Sequence, residues 1–122
     1  MIERFGATRS GEQVDRVTIS SGKLTASILT YGAALQDVRL RGIAHSLTLG
    51  FADLAPYEGD MFHAGTIMGP VANRIGNARA QINGKTHKFD TNFMDRHTLH
   101  GGSAATHSKV WHIKDHSDAD VT

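Results

Sequence analysis

The chain has 122 residues, with 13 Lys and Arg against 12 Asp and Glu, a net charge of +1, eight histidines and no cysteine. That length holds one domain, residues 1–122, with a modest core. The scattered basic residues argue against a nucleic-acid footprint, and the lack of cysteine excludes a disulfide framework, a thiolate metal site and a cysteine nucleophile. Met1 to Gly11 carries Arg4 and Arg9 but no apolar run long enough for a signal peptide or membrane span, so the expectation is a soluble, cytoplasmic protein that binds no membrane.

Helix signals are poor, because 13 glycines are spread along the chain and no long window repeats apolar residues at three-to-four spacing. Strand signals begin at Lys23 to Leu29, where Leu24, Ala26 and Ile28 alternate with Lys23, Thr25 and Ser27. Gln36 to Leu40 repeats the pattern, Gly42 marks a turn, and Ser46 to Phe51 reads as a core strand through Leu47, Leu49 and Phe51. Asn83-Gly84 predicts a type I′ hairpin, because that turn needs positive φ at both central residues. Ala78, Ala80 and Ile82 enter it, and His87 and Phe89 leave it. Val110 to Ile113, with Trp111, is a further strand, the polar stretch from Asp115 to Asp120 is a turn, and Val121-Thr122 reads as the start of another strand.

The pattern predicts an all-β, antiparallel sandwich. A sandwich stopping at Thr122 leaves an open edge and an uncovered apolar face, for which a second polypeptide segment or a homo-oligomer is the expected cover.

Two motifs carry chemistry. Asn73-Arg74-Ile75 lies in a glycine-punctuated segment from Gly65 to Gly76; Arg74 offers planar donors to hydroxyl or ring oxygens, and Asn73 both donates and accepts. A surface arginine beside a turn asparagine is the structural alternative. His100, in Leu99-His100-Gly101-Gly102, suits acid or base work near neutral pH or donation to a developing oxyanion; a solvent-exposed loop histidine is its alternative. His97 and His100 are three apart, yet no third ligand stands in register, so no metal site is assigned. His107, His112 and His116 read as polar positions near the Trp111 strand, and His63 as a loop histidine on the approach to Asn73. Asp90 and Asp95 read as turn acids. Gly69 to Arg74 lacks the Gly-Lys-Ser/Thr ending of a phosphate loop, and no G-x-S-x-G elbow is present.

Tyr31-Gly32-Ala33, Leu49-Gly50-Phe51, Tyr57, Gly69-Pro70-Val71-Ala72-Asn73-Arg74-Ile75, the Asn83-Gly84 hairpin, Asn92, Leu99-His100-Gly101-Gly102 and Trp111 follow one another in this order. The ordered set resembles the N-terminal part of the aldose 1-epimerase, or galactose mutarotase, family. The resemblance implies a large antiparallel β-sandwich that this chain leaves incomplete, and interconversion of the α and β anomers of a free aldose such as galactose or glucose. It implies no metal or organic cofactor. By motif, Asn73, Arg74 and His100 match the family's sugar-binding residues, with His100 near the reacting oxygens as the candidate catalytic group. Many relatives have Arg where Pro70 stands. The resemblance also places the family's general acid and base beyond the region represented here, leaving the alternative of a non-catalytic, sugar-binding or oligomerising module.

Overall fold

The computed structural model describes residues 1–122 and is all-β, with no α-helix. No helix is long and apolar enough to cross a membrane. The chain forms two compact units, Met1–Ile67 with His107–Thr122, and Met68–Thr106.

The first unit is built on four antiparallel strands, β1 (Ile2–Ala7), β2 (Gln13–Ser21), β3 (Leu24–Leu29) and β4 (Ala34–Leu40), in the order β1-β2-β3-β4. Leu24, Ala26 and Ile28 share a face, as their alternation predicts. Paired residues stand on the same side of a sheet, and these three pair with Leu40, Val38 and Leu35 in β4, while Ile28 also pairs with Val17 in β2. The opposite face carries the core, where Val14, Leu29, Tyr31, Ala34, Leu54 and Tyr57 cluster. Tyr57, in a 3-10 turn at Ala55–Glu58, is fully buried; its hydroxyl accepts the Phe51 N–H at 3.1 Å, and the Phe51 ring meets it edge-on at 5.5 Å.

Strand β2 buries one valine on each of its faces. Val14 and Val17 stand three apart, so they point to opposite sides, and both are buried.

Three expected strands take other forms. Ser46 to Phe51 is an irregular segment, with Leu47 and Leu49 at least half exposed. One backbone bond, Leu47 N–H to Val38 O at 2.8 Å, ties it to β4, and side chains make other links: the Ser46 hydroxyl accepts the Val38 N–H at 3.3 Å, and Gln36 Nε2 donates to Phe51 O at 3.0 Å. Val110 to Ile113 makes a single bridge, Val110 with Tyr31, backed by Trp111 N–H to Thr30 O at 2.7 Å. Val121 likewise makes one bridge, with His116, across the predicted Asp115–Asp120 turn.

The face bearing Val17, Ile28 and Leu35 is lined further by Ile67, Trp111 and Val121, around an apolar groove of about 540 Å³. Leu35, Ile67 and Trp111 remain 37%, 50% and 38% exposed, which is unusual for residues converging on one apolar surface.

The second unit contains two short antiparallel pairs: β5 (Arg74–Ile75) with β8 (Thr98–Leu99), and β6 (Arg79–Ile82) with β7 (Lys85–Lys88). The β6–β7 hairpin turns at Asn83-Gly84 with φ of 50° and 75°, as the type I′ expectation requires.

Candidate functional site

Asn73, Arg74 and His100 meet at one end of the β5–β8 pair. Arg74 faces Leu99 in register, so Asn73 and His100 are the residues flanking that rung. The two are joined twice: His100 N–H donates to Asn73 O at 2.9 Å, and Asn73 N–H donates to His100 Nδ1 at 3.0 Å. The second bond sets the tautomer, because an Nδ1 that accepts cannot hold a proton, and the proton of the neutral ring then resides on Nε2. His100 is thereby shaped as an Nε2–H donor.

The other end of the pair repeats the device. Asn77 N–H donates to His97 Nδ1 at 3.0 Å, and both asparagines adopt left-handed backbone, with φ of 65° at Asn73 and 54° at Asn77. Asparagine tolerates that region better than most residues. His97 and His100 therefore each pin a backbone amide through Nδ1, and no group of three His, Asp or Glu side chains converges to hold a metal.

The Arg74 guanidinium is held from two sides. Its Nη1 donates to Asn73 Oδ1 at 2.7 Å, and its central carbon lies 4.4 Å from the centroid of the Phe93 ring. Both partners are neutral, so the positive charge is oriented without being cancelled. Asn92 fastens the returning strand: its Nδ2 donates to Leu99 O at 2.9 Å and its Oδ1 accepts Leu99 N–H at 2.8 Å.

Behind His100, Gly101 and Gly102 both have positive φ, 85° and 57°. A Cβ on Gly101 would stand 2.8 Å from Gly69 O and from Pro70 Cδ, and one on Gly102 would stand 2.7 Å from Asp90 Oδ2. The Gly-Gly pair is thus required by close packing as well as by dihedral. Asp90 caps the 3-10 turn Gly102–Ala104, its Oδ2 accepting Ser103 N–H at 2.6 Å, and these Ser103 bonds hold its carboxyl below the ordinary aspartate range. Asp90 is a turn acid, as its setting suggests.

His63 belongs to the first unit, where its ring lies 3.8 Å from that of Phe62 at a tilt of 52° and stands edge-on at 5.0 Å to His107. His107 is buried, which its polar surroundings in sequence do not announce. Phe93 also has no sequence signal beyond being an aromatic residue in a polar loop.

The family model of aldose 1-epimerase matches residues 15–122. This chain belongs to the aldose 1-epimerase family. Mouse galactose mutarotase is 33% identical over 111 residues, covering 88% of this chain and 32% of the mouse protein. A probable aldose 1-epimerase from Arthroderma benhamiae is 30% identical over 125 residues, covering 96% and 28%. The crystal structure of a GalM/aldose epimerase homologue from C. elegans superposes with a TM-score of 0.76 at 31% identity, over 87% of this chain and 34% of that one. Galactose 1-epimerase from Lactobacillus acidophilus shares the fold, with a TM-score of 0.80 at 21% identity over 97% and 34%. The chain spans about a third of the length of these relatives, so its antiparallel strands make up an incomplete aldose epimerase fold.

Proposed function

We propose that this chain supplies the sugar-gripping part of an aldose 1-epimerase site, acting on a free hexose such as galactose or glucose. The observation carrying this reading is the double link between Asn73 and His100, which sets an imidazole Nε2–H and the Arg74 guanidinium on the same short strand pair. Mutarotation needs a proton removed from the C1 hydroxyl and one delivered to the ring oxygen, after which C1 rotates and the hydroxyl re-adds from the other face. Arg74 donates to hydroxyl or ring oxygens, and His100 donates through Nε2 to an oxygen that gains charge as the ring opens. Nothing in the set Asn73, Arg74 and His100 is a carboxylate base. The main acid and base belong, in this reading, to the part of the family fold beyond the third spanned here, and the two units of this chain belong to one sandwich domain.

The apolar groove around Leu35, Ile67 and Trp111 favours a covering segment from a second polypeptide or a second copy of the chain. If a second copy covers it, the module binds sugar without turning it over. Calorimetric titration with galactose and polarimetry of α-D-galactose, each with the chain alone and with a polypeptide carrying the remaining strands, test the proposal. The expected result is binding by the chain alone and mutarotation only after complementation. Absence of galactose binding in both settings would sink it.

A further inference from the structure

Aromatic rings beside sugar sites commonly offer a face to the sugar's C–H surface, yet the face of Phe93 is already taken by a cation. The Arg74 guanidinium carbon sits 4.4 Å from its centroid, well inside the roughly 6 Å range of a cation–π contact. We propose that Phe93 is a positioning residue that, with Asn73 Oδ1, clamps Arg74 in the orientation that meets the sugar oxygens; this rests on the sugar-binding reading above.

The clamp is rigid on both sides. Phe93 begins a tight loop closed by two backbone bonds, Phe93 N–H to His97 O at 3.0 Å and His97 N–H to Phe93 O at 2.9 Å. His97 in turn accepts the Asn77 N–H at Nδ1, so the loop that presents the ring is tied to a residue two positions beyond β5. On the other side, Asn73 Oδ1 takes one guanidinium nitrogen at 2.7 Å, while the Asn73 backbone is fixed by His100. Arginine in water has about 2 kcal/mol of rotamer entropy to lose, so fixing its plane beforehand lowers the entropic cost of binding a ligand. With the ring holding the guanidinium carbon and Asn73 Oδ1 taking Nη1, the remaining guanidinium N–H groups are the donors left for sugar hydroxyls.

The test compares the full chain with Phe93→Leu and Phe93→Tyr by NMR of the Arg74 side chain and by galactose titration. In the unsubstituted chain the Arg74 Hδ and Hε resonances are expected upfield, shifted by the ring current of Phe93. Phe93→Leu should return them to unstructured-peptide positions and raise the galactose Kd about two- to fivefold, the range for an exposed cation–π contact. Phe93→Tyr keeps a ring and should retain both signals. The proposal is overturned if Arg74 shifts do not respond to Phe93→Leu, if that variant binds galactose as the parent does, or if Phe93→Tyr loses as much as Phe93→Leu. A parent chain that binds no galactose overturns the sugar-binding reading instead, and the Arg74 shift still decides whether Phe93 holds the guanidinium.

Discussion

The backbone N–H of Asn73 donates to Nδ1 of His100 at 3.0 Å, and this bond makes the tautomer of His100 a consequence of the backbone conformation of Asn73. With φ of 65° at Asn73, the amide is turned to meet the ring. Long-range nitrogen–proton NMR of the neutral imidazole should therefore show Nδ1 as the unprotonated nitrogen and Nε2 as the protonated one. His100→Ala removes one hydrogen-bond donor from the proposed sugar site and is expected to weaken galactose affinity by about tenfold, the scale of one lost hydrogen bond. The reverse tautomer, or unchanged affinity in the alanine variant, contradicts this assignment.

At the opposite end of the strand pair, His97 pins Asn77 in the same manner and reaches Arg74 only indirectly, through the loop that presents Phe93. His97→Ala should act on the scaffold. Loss of one hydrogen bond of about 1 kcal/mol predicts roughly fivefold faster hydrogen exchange at the amides of Ile75 and Thr98. The change in galactose affinity should be smaller than for His100→Ala. Equal losses of affinity in the two variants would show that His100 also acts only through the scaffold.

Gly101 and Gly84 separate dihedral strain from steric clash. Both have positive φ, 85° and 75°, but a Cβ at Gly84 meets nothing within 4 Å whereas one at Gly101 stands 2.8 Å from Gly69 O and Pro70 Cδ. Gly84→Ala is expected to cost about 1–2 kcal/mol, the strain of a non-glycine residue in the left-handed region. Gly101→Ala should cost more, since neither backbone carbonyl nor proline ring can move aside cheaply, and it should displace His100. Urea unfolding of the two variants measures the difference, and equal costs would refute the close approach.

How much of this could be read from the chain depends on whether the determinant is local. The Asn83-Gly84 hairpin needs only two permissive dihedrals, and the β3 face needs only alternation, so both were legible in sequence. Ser46 to Phe51 alternates equally well, but Ser46 and Gln36 side chains take some of the backbone groups that a ladder would use. Arg74 and His100 were legible as motif residues. That Asn73 organises both, and that Phe93 lies against Arg74, depends on the left-handed backbone at Asn73 and on a loop closing through His97, neither of which periodicity encodes.

Asp90 should give an acid-side signature. Its Ser103 hydrogen bonds favour the carboxylate and lower its pKa below the ordinary value of 3.8. Because the folded value lies below the unfolded one, the stabilisation is present above the unfolded pKa and is lost as pH falls through the folded pKa. The Asp90 carboxyl carbon should therefore titrate below pH 3.8, with the Ser103 amide moving at the same midpoint as the 3-10 turn Gly102–Ala104 loosens. A midpoint at or above the ordinary value, or a Ser103 amide that does not follow it, removes the capping role.

The groove on the first unit makes a prediction about association. Leu35 and Ile67 are 37% and 50% exposed on a surface that also carries Trp111, and half-exposed aliphatic side chains gain about 1 kcal/mol each when covered. Leu35→Lys with Ile67→Lys forfeits both gains and places two charges where an apolar surface would dock, so any self-association or complementation should weaken by at least tenfold. Sedimentation velocity measures the first, and the polarimetric complementation assay the second. Galactose affinity of the chain alone should stay unchanged, because neither residue belongs to the set Asn73, Arg74, Phe93 and His100. If the double variant associates and complements as the parent does, the covering segment docks elsewhere, and the exposed face of β3 and β4 is not its seat.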